Sequence, residues 1–247
     1  MWPMFYRFLL SVEKKAAKLQ GKGWAPTTLQ MEFAAAVSLL TSGNPQTCID
    51  IGGNKGAYTQ EILRSFPKCR IVIFEPAKSN AGILFEKFGT NSNVVIEQKG
   101  VSNKVGCATL FSDEDGSGLA SLTKRRLDHF GIEFNHMESI GTIRFEDYWK
   151  KKLGSGKIDI LKMDIEGHEL DALAGFGDAL NYIEVIQFEF GGCNIDTRTF
   201  FQDFWYFFSE RGFDLYRITP FGVLHIAKYR ELDEFYSTCN YLAKRKA

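Results

Sequence analysis

The 247 residues are 45% hydrophobic, enough to bury one sizeable core, so a single α/β domain is expected before two small ones. Lys and Arg number 30 and are balanced by 30 Asp and Glu, which excludes a chain-wide basic field for nucleic acid and leaves only local patches. Five scattered cysteines (Cys48, Cys69, Cys107, Cys193, Cys239) form no CxxC pair; reduced thiols and a cytoplasmic location are expected, not a disulfide frame or a zinc site.

The opening "MWPMFYRFLLSVEKKAAKLQ" has neither a basic lead nor a long apolar run, so no signal peptide and no spanning helix is expected. Residues 4–20 read as an amphipathic helix with Phe5, Phe8, Leu9 and Val12 on one side. Packing on the domain, or on a second copy in a homodimer, is the first expectation, and weak contact with a membrane surface the other. Residues 28–41 place Leu29, Phe33, Val37 and Leu40 at helical spacing. Together these segments predict an N-terminal helical cap over 1–44, closed by the breaker "GNPQ" at 43–46.

From residue 45 to 247 the pattern alternates. Strands are predicted at 47–51, 70–75 and 93–98, with helices at 57–66 and 79–88 between them. "KVGCATLF" at 104–111 reads as a further short strand. Residues 112–137 are polar, Gly-containing and weakly periodic, an insertion expected to leave the sheet on the acceptor side. Residues 140–152 give a strand and a short helix. "KIDILKMD" at 157–164 is a buried strand ending in an acid, followed by a helix at 167–176 and a strand at 182–190. The aromatic helix "TRTFFQDFWYFFSERGF" comes next; its rings are expected mainly in the core, with one or two free to stack on a sugar. "DLYRIT" and "GVLHIA", separated by Pro220-Phe221, form a hairpin signature, and the closing "AKRKA" reads as a frayed basic tail. Parallel neighbours need crossover helices. The prediction is therefore a doubly wound, Rossmann-like, seven-stranded, mainly parallel sheet with a C-terminal antiparallel hairpin.

In such sheets ligands bind at the carboxyl ends of the strands. "TCIDIGGNKGAYTQ" fits that place: an apolar strand ending in Asp50, then a Gly-rich loop, then a helix N-terminus. Lys55 is followed by Gly56-Ala57, so the loop is not a P-loop, and Gly52-Gly53-Asn54-Lys55-Gly56 is not GxGxxG. A loop opening with an acid suits a cationic ligand better than a pyrophosphate. Glu75, 19 positions after Gly56, can accept both hydroxyls of a ribose. A ribose with a sulfonium or ammonium end points to S-adenosylmethionine; a nicotinamide cofactor and a purely structural turn are the alternatives.

"DIGGNKGAYT", "FEP", "GVSNKVG" and above all "IDILKMDIEGHELDALAGF" resemble the FkbM-type class I S-adenosylmethionine-dependent methyltransferases over about residues 46–228. That resemblance implies O-methylation, often of a sugar or polyketide hydroxyl. By position it implies that Asp50, Gly52, Gly53, Asn54 and Gly56 line the methionine end and that Glu75 holds the ribose. Pro76, Val101 and Ser102 would then flank the adenine.

A sugar hydroxyl is a poor acid, so its methylation calls for a base or a metal. Asp164 ends its strand where the sulfonium is expected, and Glu166 and His168 open the next helix. A helix N-terminus disfavours imidazolium, so His168 can stay neutral and act as a base; the acids there can equally be simple complements of the helix dipole. Glu189 ends the following strand. Asp164 and Glu189, with Glu166 or Asn194, make an oxygen-rich set suited to Mg²⁺. Lys124, Arg125 and His129 in the insertion, with Asn194, are expected to grip a sugar, nucleotide-sugar or polysaccharide acceptor. Competing readings are a NAD-dependent oxidoreductase or epimerase, which lacks here its GxGxxG, and a non-catalytic cofactor-binding partner subunit. Nucleic-acid methylation is disfavoured by the neutral charge and by the absence of an Asn/Asp-Pro-Pro-Tyr stretch.

Overall fold

A computed structural model describes residues 2–23 and 28–246; residues 24–27 of the N-terminal cap and the last residue of the basic tail lie outside the described residues. Helices α1 (Trp2–Leu19) and α2 (Leu29–Ser38) come first, the latter started by Thr28, whose hydroxyl accepts the Met31 N–H. Then β1 (Thr47–Ile51), α3 (Ala57–Ser65), β2 (Arg70–Phe74), α4 (Lys78–Phe88) and β3 (Val94–Glu97) alternate as predicted. The short β4 (Gly100–Val101), β5 (Gly106–Ser112) and β6 (His136–Ile143) follow. The chain continues through α5 (Phe145–Lys152), β7 (Ile158–Met163), α6 (Glu169–Ala174) and β8 (Ile183–Phe190). It ends with α7 (Cys193–Thr197), α8 (Phe201–Ser209), β9 (Phe213–Thr219), β10 (Gly222–His225) and β11 (Cys239–Arg245).

The main sheet has eight strands in the order β10-β9-β11-β8-β7-β1-β2-β3. β3, β2, β1, β7 and β8 are parallel neighbours. Strand order reverses at β1, which sits between β2 and β7, and the carboxyl ends there open the crevice for a ligand. Side-chain alternation divides the core between the two faces. Ile71 and Ile73 of β2 pack with Phe33, Tyr58, Ile62, Leu84 and Phe88 under α2, α3 and α4. Val72 and Phe74 pack with Phe145, Phe176, Phe204 and Phe208 under α5, α6 and α8. The α8 rings Phe201, Phe204 and Phe208 are buried and stack on Phe188 and Tyr241, as expected of core aromatics, while Phe200 and Tyr206 stay about half exposed.

Two expectations need correction. The sheet has eight strands, because the predicted frayed tail is a strand: β11 lies inside the sheet, antiparallel to both β8 and β9. Its basic residues are tied down, Lys244 Nζ at 2.5 Å from Glu184 Oε1 and Arg245 Nε donating to Ile183 O. The β9–β10 hairpin is present, but at the sheet edge beyond β11. The predicted insertion also overlaps structure at both ends: β5 and β6 pair from Gly106↔Thr142 to Ser112↔His136 and, with β4, make a second three-stranded sheet.

Candidate active site

The loop after β1 is shaped by close contacts within the protein. Gly52 and Gly53 N–H donate to Phe74 O at 2.9 and 3.1 Å, and Gly52 has φ +78°. A Cβ at Gly52 would overlap the Asp164 carbonyl, and one at Gly53 the Ile73 side chain. A Cβ at Gly56, which precedes α3 at φ +83°, would press on Phe88 and Leu84. The bare backbone is thus needed for strand and helix packing, not only for the approach of a ligand. Asn54, itself at φ +45°, donates its N–H to Glu75 Oε2 at 2.7 Å, and Ala77 N–H donates to Glu75 Oε1 at 2.9 Å. Glu75 therefore couples the two loops that follow β1 and β2. Burial pushes its carboxyl above the usual range, while the two backbone donors pull the other way.

Beside these loops lies a cavity of about 370 Å³. Phe74, Pro76, Val101, Leu110, Leu122 and Ile140 give it an apolar side; Asn54, Glu75, Asn80, Lys162, Asp164 and His168 give it a polar one. The insertion completes the wall with Ser117, Gly118, Ala120, Ser121 and Leu122. It is pinned to the segment after β7, where Ser121 Oγ donates to Glu166 O at 2.8 Å and Thr123 Oγ1 lies 2.9 Å from His168 Nε2.

Charge gathers at the β7 end. Lys162 Nζ is 3.2 Å from Asp164 Oδ2 and 3.9 Å from Asp50 Oδ1. These acids hold its ammonium above the ordinary lysine range, against the opposing effect of burial. Asp164, Glu166 and Glu189 bring carboxylate oxygens within 4.8 Å of one another. Burial and the Asp164 charge push Glu166 up to about 8, although Arg125 Nη1 sits 2.6 Å from its Oε2. Burial, with the same acidic neighbours, raises Glu189 well above its usual value. His168 is lowered by burial, partly offset by Asp171, whose Oδ2 is 3.3 Å from Nδ1. A carboxylate facing Nδ1 favours the ring proton there, which leaves the Nε2 lone pair to accept from the Thr123 hydroxyl.

The model of the Methyltransferase FkbM domain matches residues 50–215, about two thirds of the chain. The chain belongs to the FkbM methyltransferase family. Among relatives of this FkbM domain, 2-O-methyltransferase NoeI of Sinorhizobium fredii is 27% identical over 191 residues, covering 74% of this chain and 78% of the relative. Methyltransferase 1 of Beauveria bassiana is 25% identical over 148 residues, 53% of this chain and 58% of that protein. The crystal structure of methyltransferase FkbM from Methylobacillus flagellatus aligns at a TM-score of 0.47 and 15% identity, over 80% of this chain and 43% of that one.

Of the residues singled out in the FkbM sequence, Gly52, Gly53, Asn54, Glu75, Pro76, Val101, Asp164, Glu166 and His168 line one cavity. Others do not reach it. Asp50 is fully buried beneath the loop, where Oδ2 accepts the Thr59 hydroxyl at 2.8 Å, so it acts on the site through Lys162. Ser102 follows β4, its N–H bonded to Ile143 O, and is not among the residues that line the cavity. Asn194 is buried and fully engaged, Oδ1 accepting the Gly191 N–H and Nδ2 donating to Thr199, so it neither grips an acceptor nor joins the carboxylates. Lys124 and His129 are exposed and not among the residues that line the cavity, and the His129 ring lies tilted against Phe130. Arg125 holds Glu166 and Asp196 instead of facing the cavity. Sequence reasoning missed Lys162, Asn80, Thr123 and Asp171. Only Lys162 carried a signal, a cation near the carboxyl end of the mainly apolar strand "IDILKM", whose other charge, Asp159, lies near its start.

Proposed function

We propose that this chain transfers a methyl group from S-adenosylmethionine to a hydroxyl of a sugar or glycan, with His168 as the base. The observation that carries the reading is His168 on the wall of an acid-rich cavity, its Nδ1 3.3 Å from Asp171 Oδ2 and its Nε2 2.9 Å from the Thr123 hydroxyl. Kinship with NoeI, named a 2-O-methyltransferase, supports an oxygen acceptor.

The cavity fits the cofactor on its own chemistry. Asn54 Oδ1 and Asn80 Oδ1 are buried on its wall without a partner in the protein, and acceptors so placed call for donors from a ligand. Glu75 would take the ribose, and Pro76, Val101 and the other apolar residues the adenine. Asp164 would face the cationic end. When bound, S-adenosylmethionine supplies an electrophilic methyl on a sulfonium. His168 Nε2 takes the proton of the acceptor hydroxyl, which would stand where the Thr123 hydroxyl now does, and Asp171 stabilises the imidazolium that forms. Glu166 is taken up by the Arg125 guanidinium at 2.6 Å, and Glu189 is not among the residues that line the cavity, so neither is a ready base.

The carboxylate trio has the spacing of a cation site, but Mg²⁺ would have to share its oxygens with Arg125 on Glu166 and Lys162 on Asp164. The set fits the ion poorly, and no step runs through one. Turnover is therefore expected to be unchanged in EDTA. Activity lost in chelator and restored by Mg²⁺ would return Asp164 and Glu189 to the role of metal ligands.

The cofactor assignment is checked by calorimetry. S-adenosylmethionine and its demethylated product should bind and NAD should not. Glu75→Ala should weaken binding by about 1–3 kcal/mol, since it leaves ribose hydroxyls and the Asn54 N–H unpaired. Binding of NAD alone would sink the reading. The acceptor is sought by mass spectrometry of glycan pools incubated with enzyme and cofactor, as the mass gain of one CH₂.

A further inference from the structure

We propose that α1 is an interfacial helix that lays its apolar face on an anionic lipid bilayer. Met4, Phe8, Leu9, Val12 and Leu19 are 44–75% exposed and fall on one arc of the helix. Leu10 and Ala17, on the opposite side, are its half-buried residues, so the apolar arc is turned away from the domain. Arg7, Lys14 and Lys18 border that arc, Lys15 lies within it on a stem long enough to carry its charge to the headgroups, and Glu13 is the one acid of the helix: four positive charges less one negative give +3, on a chain whose net charge is zero. An apolar face edged with basic side chains is complementary to a surface of acyl chains beneath anionic headgroups. Pairing two such helices from two copies would bring +3 against +3, so a second copy is the poorer occupant.

The end of α1 is fixed to the body. Arg217 Nε donates to Gln20 O at 2.8 Å, and Lys22 Nζ to Leu232 O at 2.5 Å. Gly21, at φ +73°, lies so close to β9 that a Cβ would overlap Ile218 O. β9 is antiparallel to β11, which is antiparallel to β8, so β9 runs with β8. The anchor is thus at the carboxyl end of the strands, the sheet edge that also holds the cavity. Phe221 in the β9–β10 turn and Leu232 beside Lys22 are 79% and 77% exposed and extend the apolar surface at that edge, with Lys228 exposed nearby in the chain.

The test is flotation of the full chain with vesicles of phosphatidylcholine alone and of phosphatidylcholine mixed with phosphatidylserine, at low and high salt. The chain should float with the anionic vesicles only, and less as salt rises. Phe8→Glu should abolish flotation with the far-ultraviolet circular dichroism unchanged, because Phe8 is in solvent. The double variant Lys14→Gln/Lys18→Gln should weaken partitioning about five-fold for each charge removed. No flotation with anionic vesicles, undiminished flotation of Phe8→Glu, or a dimer in sedimentation that Phe8→Glu disperses would each overturn the proposal. The last result would give the face to a second copy.

Discussion

Replacing His168 by alanine is expected to lower kcat by about 10²–10⁴-fold, equivalent to roughly 3–5 kcal/mol in the barrier, and to leave cofactor affinity nearly unchanged. The ring lines the cavity, but its hydrogen bonds run to Thr123 and Asp171, not to the loops after β1 and β2. The pH profile separates a base from a packing residue. Burial holds His168 below its ordinary 6.5, so the acid limb of kcat should begin below that value. Asp171→Asn removes the carboxylate that favours imidazolium and should move the limb lower still. The same depression sets a stability term: the unfolded chain takes up a proton that the folded chain refuses. His168's contribution is therefore full above about 6.5 and is lost as pH falls through the folded value. Steady-state kinetics across pH, with direct cofactor titration of each variant, decide the matter. Full turnover in His168→Ala would pass the role of base to Asp164.

Gly52→Ala should cost about 2–5 kcal/mol of folding stability, read as a lower urea midpoint. The sum combines about 1–2 kcal/mol for a left-handed alanine with about 1–3 kcal/mol for overpacking against a partner that cannot swing away. That partner is the backbone carbonyl of Asp164, at the end of β7. Relief of the overlap has to move either the loop that carries Asn54 or the segment that carries Asp164, so the folded fraction should also bind cofactor more weakly. Gly43→Ala is the control for the conformational part alone, since Gly43 is also left-handed at φ +61° but nothing lies within 4 Å of a Cβ there. Equal midpoints for the two variants would show that the loop relieves the overlap at no cost.

Much of the site was legible because its information is local. An apolar strand, a glycine loop and a spaced acid occupy 30 consecutive residues, from Thr47 to Pro76. β7 and the start of α6 are equally contiguous. What stayed hidden depends on partners distant in the chain. β11 offers only the short apolar run Tyr241–Ala243 between polar and basic residues, and it is a strand because β8 and β9 flank it. Arg125 looked like an acceptor-binding cation; its partners Glu166 and Asp196 lie 41 and 71 residues away. Asp50 was read as facing a ligand because it ends an apolar run, yet in β1 it turns toward Thr59 and Lys162 under the loop. Alternation tells which face of a sheet a side chain takes, not whether that face meets a cavity or a neighbouring helix.

The placement of β11 also governs the order in which the protein can be made. Synthesis runs from the N-terminus, and domains tend to form as they emerge. β1, β2, β3, β7 and β8 can pair as they leave the ribosome, with their crossover helices alongside. β9 and β10 follow as a hairpin, but β9 has no place beside β8; the strand that joins them is translated after both. Until then the nascent chain carries two unpaired strand edges, on β8 and on β9, each a template for a foreign strand. Nascent chains that stall before Cys239 should therefore be the species that associate with holdase chaperones, and passage of Arg245 through the exit should release them.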